Sequence, residues 1–197
     1  SPITLSYDSA TGPGYGIGAA KGITGGRRAF KGALMEGGIG VPFIARWPGK
    51  IAAGKVDKTS VLSAVDLLPT FCELGNVKLP KSYKPDGMSQ VSALMGKGNP
   101  LRKKPIFWRM SAPWPASESK PDHWVAYAVV DEQWKLVLNK DQSHAELFDL
   151  VRDPLESSDL AAKNLETVKR MKNLLQKWLS SISAKPTGDV FSNLREN

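Results

Sequence analysis

Trp124-Val-Ala-Tyr-Ala-Val-Val130, then Asp131-Glu-Gln, then Trp134-Lys-Leu-Val-Leu138 is the stretch on which the fold turns. Both runs are rich in aromatic and β-branched residues, which suit a pleated, half-buried surface, and the polar residues between them read as a hairpin turn. Outward from this hairpin, Pro105-Ile-Phe-Trp-Arg-Met110 predicts a strand before it and Glu146-Leu-Phe-Asp149 a short strand after it. Ser111 to Asp122 carries three prolines and predicts a loop. Farther on, Leu165, Val168, Met171, Leu174, Leu175, Trp178, Leu179 and Ile182 recur at intervals of three and four. That spacing makes one apolar stripe on a helix, and the stripe has to cover a sheet. Lys185-Pro186 ends the helix, and the last ten residues read as a loose tail.

Upstream the character changes. Eleven of the 18 glycines fall in the first forty residues, mostly in Gly12-Pro-Gly-Tyr-Gly-Ile-Gly18 and from Gly25-Gly26 to Gly40. Each glycine costs backbone entropy inside a regular element, so this stretch reads as a long loop shaped around something. Val41-Pro-Phe-Ile-Ala-Arg-Trp47 predicts a short apolar strand, stopped by Pro48-Gly49. Asp66-Leu-Leu-Pro-Thr-Phe-Cys-Glu-Leu-Gly75 predicts a helix over 67–74, with Asp66 as N-cap, Pro69 in the first turn and Gly75 closing it. Pro80 to Pro85 predicts a polar connector, and Ser89 to Met95 one or two helical turns.

Length and composition exclude several classes. The chain has 197 residues, 41% hydrophobic and 23% charged, enough for one sizeable core or two small ones and too apolar for bulk disorder. No apolar run approaches the roughly 20 residues that cross a bilayer. The first residues show no basic region followed by an apolar block, and removal of an upstream leader stays compatible with them. A single cysteine, Cys72, excludes an internal disulfide framework and any multi-cysteine zinc site; inside the predicted helix it reads as a buried structural thiol. The balance of 27 Lys and Arg against 19 Asp and Glu gives +8, which favours an anionic partner such as polysaccharide sulfate, nucleic acid or an acidic surface. The charges are scattered, however, so a plain solvated basic surface stands beside that reading.

Several chemistries find no support. The two histidines, His123 and His144, lie in polar contexts, and no Gly-x-Ser-x-Gly marks a serine nucleophile. Gly49 to Val56 imitates a phosphate loop without its Ser or Thr and reads as a turn, and the glycines at 12, 14, 16 and 18 miss the dinucleotide spacing. The aromatic strands suit a core better than a base-stacking platform. What remains is Lys31, in Arg27-Arg-Ala-Phe-Lys-Gly-Ala-Leu-Met-Glu-Gly-Gly-Ile-Gly-Val-Pro42. A lysine flanked by glycine backbone can meet a tetrahedral anion with three donors and a compact charge; a solvated lysine is the plain alternative.

The block Lys31-Gly-Ala-Leu-Met-Glu-Gly-Gly-Ile-Gly-Val-Pro-Phe-Ile-Ala-Arg-Trp-Pro-Gly49 resembles the Lys-x-x-x-x-Glu-Gly-Gly-Ile-Arg-Val-Pro block of the sulfatase family. Four later blocks resemble that family in the same order: Ser63-Ala-Val-Asp-Leu-Leu-Pro-Thr70, Pro85-Asp-Gly-Met-Ser89, Trp134-Lys-Leu-Val137, and Glu146-Leu-Phe-Asp-Leu-x-x-Asp-Pro-x-Glu156 running on to Asp159-Leu-Ala161. The resemblance implies an α/β fold: the end of a large catalytic α/β domain over residues 1–100, then a small α+β subdomain over 101–185. The latter would be an antiparallel sheet of about four strands covered by one C-terminal helix, followed by a tail over 186–197.

The resemblance also implies a sulfate-ester hydrolase of the alkaline phosphatase superfamily, acting on sulfated carbohydrate in an extracytoplasmic compartment. In such enzymes a cysteine in Cys-x-Pro-x-Arg becomes formylglycine, whose hydrate attacks sulfur, and calcium neutralises the sulfate. By the resemblance Lys31 is the sulfate-binding and catalytic lysine, and Asp8 a calcium ligand. Three departures stand out: Cys72 is followed by Glu-Leu-Gly-Asn, Ser9 replaces the usual Asn, and Gly40 stands where Arg is usual. The nucleophile and at least two metal ligands are thus absent, and the chain alone is expected to be catalytically silent. Exposed apolar surface in its first hundred residues would favour a homo-oligomer or association with a missing N-terminal part. The alternative is a non-catalytic module that holds anionic polymer on a sulfatase-derived scaffold; nucleic-acid binding rests on charge alone.

Overall fold

The computed structural model of the chain describes residues 24–97, 102–110 and 121–182. Four strands, β1 (Ile106–Arg109), β2 (Tyr127–Asp131), β3 (Trp134–Leu138) and β4 (Ala145–Asp149), form an antiparallel meander in the order β1-β2-β3-β4. The register places Phe107 beside Val129, Val129 beside Leu136 and Leu136 beside Leu147, one apolar row across the sheet. The neighbouring row, Trp108, Ala128, Val137 and Glu146, points to the opposite face, as the two-residue period of a strand demands. The hairpin is tighter than predicted: Asp131 pairs with Trp134 inside the ladder, leaving Glu132 and Gln133 as the turn, with Glu132 at φ +54°. β2 also starts later than predicted, because Pro121–Trp124 winds into a 3-10 turn first.

The terminal helix covers the Val129 face. It runs Leu165–Ser181, close to the predicted span, and buries Met171 and Leu175 against Val129, Leu136, Leu138 and Leu147. Trp178 stacks on Phe107 with ring centroids 5.0 Å apart and planes 7° from parallel. Complete burial of a side chain such as Met171 or Leu175 contributes about 1.5–3 kcal/mol, so this face is a principal source of stability. Leu165, expected in the stripe, is exposed; the covering face begins at Val168.

The opposite face is covered from the other end of the sequence. Leu34 and Met35 enter a cluster with Val125, Ala128, Val137 and Phe148, supported by Ala29, Ile39, Trp108 and Trp124. They directly precede α1 (Glu36–Ile39). The sheet is therefore sandwiched between its own terminal helix and a loop assigned by sequence to the large domain.

Residues 41–97 behave differently. The strand expected over Val41–Trp47 is not formed: the segment carries no regular structure and has no ladder partner among the described residues, and Val41, Phe43, Ile44 and Trp47 are exposed. An apolar run becomes a strand only when a neighbouring strand takes its backbone N–H and C=O groups; among the described residues only the Trp47 carbonyl is engaged, by the Lys50 and Ile51 N–H groups of the turn that follows.

Beyond it, α2 (Leu67–Leu74) spans the residues predicted, with Pro69 in its first turn, and α3 is the short turn Val91–Leu94. Asp66 precedes α2 without bonding its free N–H groups; its carboxylate serves Arg102 instead. Gly75 keeps a negative φ, and Asn76 at φ +53° makes the left-handed stop. The Val77 N–H reaches the Cys72 carbonyl at 2.7 Å and the Asn76 N–H the Glu73 carbonyl at 3.1 Å, a Schellman ending. Cys72 is half-buried rather than a core thiol.

Candidate anion-binding site

Lys31 lies at the exposed tip of a loop closed at its neck by the Gly37 N–H, which donates to the Arg28 carbonyl at 2.8 Å. The closure needs glycine: a Cβ at residue 37 would sit 2.2 Å from the Ala29 carbonyl oxygen and 2.4 Å from that of Arg28. The Glu-Gly-Gly of the first motif therefore folds the chain back on itself, while Lys31 and Gly32 are exposed.

Two ionic clamps fix the shoulders of this loop to the sheet. On one side, Arg28 Nη2 meets Asp122 Oδ1 at 2.6 Å and Nη1 meets Glu146 Oε2 at 2.7 Å, with the guanidinium 5.6 Å from the centre of the Phe148 ring. Burial works against the Arg28 charge, and the two carboxylates outweigh it, so its pKa lies above the ordinary value. Glu146 in turn faces His144 at 3.5 Å, and His144 packs against Trp124 with ring centroids 4.5 Å apart.

On the other side, Lys135 Nζ is fully buried between Glu36 Oε1 at 2.8 Å and Glu156 Oε1 at 2.7 Å. Glu156 Oε2 also accepts the Glu36 backbone N–H at 2.6 Å. Burial pushes the Glu156 carboxyl up more strongly than Lys135 draws it down, and the neighbouring Glu36 carboxylate adds to the rise. Two carboxylates share one ammonium in a dry site, so the second negative charge is incompletely neutralised.

A second buried pair organises the upstream segment. Asp66 and Arg102 meet through both oxygens, Nη1–Oδ2 at 2.7 Å and Nη2–Oδ1 at 2.9 Å, with both side chains nearly inaccessible. The Asp66 carboxylate also accepts the N–H groups of Ser63 and Met88, each at 2.9 Å. Burial raises this carboxyl, but Arg102 and the two N–H donors outweigh it and leave the pKa below the ordinary value. The Ser63–Thr70 and Pro85–Ser89 blocks are thereby joined through one carboxylate.

The sequence that builds these geometries matches a recognised family. Residues 27–185 match the family described as N-sulphoglucosamine sulphohydrolase, C-terminal. The chain belongs to the sulfatases. It is 31% identical over 171 residues to a sulfatase of Formosa agariphila, a match covering 82% of this chain and 30% of that protein. To the N-acetylgalactosamine-6-O-sulfatase of Bacteroides thetaiotaomicron it is 27% identical over 163 residues, covering 76% of this chain and 29% of the relative. Among solved structures it resembles Ps i-CgsB, with a TM-score of 0.61 and 27% identity over 77% of this chain and 31% of that one. The same protein has been solved with k-i-k-neocarrahexaose. The chain thus spans about 30% of these two curated relatives, a region with the sheet-and-helix architecture expected of the sulfatase C-terminal part.

Of the residues singled out by sequence, Lys31 is placed on the clamped loop, and Asp8 and Ser9 lie outside the described residues. So do Gly12 to Gly18, most of the Ser111–Asp122 loop and the 186–197 tail. Among the described residues no three His, Cys, Asp or Glu side chains gather as a metal site. The buried carboxylates of Asp66 and Glu156 are each committed to a cation, so the described residues do not assemble the calcium site implied by the resemblance. At Gly40, Arg27 approaches: its Nη1 would lie 2.6 Å from a Cβ there, as would the Glu36 carbonyl oxygen, so the missing side chain matches the local backbone.

Sequence reasoning passed over Arg28, Glu36, Lys135 and Glu156 as functional residues although three of them stand in the motif blocks. One signal was available: Lys135 occupies the position in β3 that shares a face with Val137, where a lysine requires buried partners.

Proposed function

We propose that this chain is the C-terminal part of a sulfatase that hydrolyses sulfate esters of sulfated carbohydrate, and that Lys31 grips the sulfate. The observation that supports the reading most directly is the exposed Lys31 on a loop held to the sheet on both shoulders, by Arg28 and by Glu36. A held ammonium offers charge-assisted hydrogen bonds to sulfate oxygens without the entropy cost of ordering a free loop. The nucleophile and the other calcium ligands would come from outside this chain, with Asp8 contributing to the ion. The exposed Val41, Phe43, Ile44 and Trp47 would be covered by that missing part or by a second copy. In keeping with the family, the working compartment is extracytoplasmic; among the described residues no helix is long and apolar enough to cross a membrane.

Two measurements test this reading. The isolated chain turns over neither 4-nitrophenyl nor 4-methylumbelliferyl sulfate, with or without calcium; formylglycine-dependent turnover by this chain refutes the division of labour. Lys31→Ala removes the binding of inorganic sulfate followed by shifts of the amides around residues 30–38, and native-like binding by that variant refutes the role of Lys31.

The +8 charge favours a second reading, a non-catalytic module for anionic polymer. Binding of heparin or chondroitin sulfate that falls steeply with salt and is unchanged by Lys31→Ala would select it.

A further inference from the structure

The loop that presents Lys31 is built onto the C-terminal sheet by residues from three separate motif blocks. Glu36 comes from the first block, Lys135 from β3, and Glu156 from the Asp-Pro-x-Glu turn after β4. They lie 99 and 120 positions apart from Glu36 in the chain, yet their charged atoms meet within 2.8 Å. The Lys135 and Glu156 side chains have no exposure to water. Between this triad and Lys31 stand only Gly32, Ala33, Leu34 and Met35, of which the last three are buried. From Lys31 to the triad the chain therefore has little slack. A change in the triad must be taken up by residues 31–36, because Gly37 is locked against Arg28 and Ala29.

We infer that Glu36, Lys135 and Glu156 are positioning residues for Lys31: the buried triad sets where the loop stands on the sheet, and the small subdomain thereby tunes anion affinity. This inference rests on the proposed role of Lys31. It goes further in giving the C-terminal subdomain a part in binding sulfate although none of its triad residues touches the anion. A buried ion pair is a poor source of net stability, since desolvation offsets most of its attraction. Its geometry is nevertheless restrictive, because the Lys135 ammonium meets both carboxylates only with Glu36 seated.

The test titrates inorganic sulfate into the full chain and four variants at a temperature where each is folded, following the amides of residues 30–38 by NMR. Lys31→Ala reports on the proposed function. Glu156→Gln keeps an oxygen for the Glu36 N–H and removes one charge, and Lys135→Met removes the shared cation. Leu175→Ala loosens the same sheet from its opposite face and serves as the structural control.

The expected result is a weakening of about fivefold to tenfold in Glu156→Gln and Lys135→Met, with native affinity in Leu175→Ala. Native affinity in both triad variants, with binding lost in Lys31→Ala, overturns the positioning role and leaves the function standing. Equal weakening in Leu175→Ala also overturns it, since general loosening then suffices. Native affinity in Lys31→Ala refutes the proposed function itself, and the inference with it. Should the triad variants fail to fold, amide exchange in the native chain decides. Residues 33–37 exchanging as slowly as β2 and β3 support the clamp, and exchange as fast as residues 50–58 overturns it.

Discussion

Two short apolar runs, Val41–Trp47 and Trp134–Leu138, carry similar strand signals and meet opposite fates. The second is an inner strand with partners on both edges, and four of its five residues are buried. The first has no ladder partner among the described residues and exposes most of its large side chains. Strand propensity records fitness for a half-buried pleated surface, and that surface has to be supplied by other strands. The C-terminal sheet finds two covers within this chain, the terminal helix and the 28–39 loop. Among the described residues, the 41–97 segment is held instead by one buried ion pair, Asp66 with Arg102, by the Lys104 ammonium donating to the Pro85 and Gly87 carbonyls, and by a few backbone hydrogen bonds.

The contrast between these regions can be broken experimentally. The largest effect is expected for Lys135→Ala, which leaves Glu156 as an uncompensated buried charge. A loss of about 3–5 kcal/mol in urea unfolding is expected, and a loss below about 1 kcal/mol would show that the triad is not dry. Next, Leu175→Ala should cost about 2–5 kcal/mol, whereas Ile44→Ser at a 90% exposed position should shift stability by less than about 0.5 kcal/mol. Comparable losses in the two variants would mean that 41–47 is packed in solution.

The smallest effect lies in the pH dependence, where the two buried clusters carry opposite signs. Glu156 has a raised pKa, so the folded state holds its proton more tightly than the unfolded state. Its contribution is greatest below the ordinary value of 4.5 and declines as pH rises through the raised value. Asp66 is lowered, so its contribution is present above the ordinary 3.8 and is lost as pH falls through the depressed value. Urea melts from pH 3 to pH 7 should therefore show a slope above pH 4.5 that disappears in Glu156→Gln. Persistence of that slope in the variant would assign it to another group.

Much of the C-terminal half was legible beforehand. The aromatic and β-branched runs, the polar turn and the three-and-four spacing of the helix each reflect local physics, and their boundaries moved by only a few residues. Asp66 was misread because an aspartate before an apolar helix looks the same whether it caps that helix or pairs with an arginine 36 residues away. Lys31 was singled out from its neighbours in sequence, while the residues that hold its loop were not, since a clamp has no spacing rule.

By itself the sequence determined the antiparallel meander, its helical cover and the family, because periodicity and motif order are local properties of the chain. Only the tertiary structure decided which loop roofs the sheet's second face and which carboxylates share Lys135. Those outcomes depend on desolvation and charge pairing between residues about a hundred positions apart, and nothing in the order of residues specifies that distance in space.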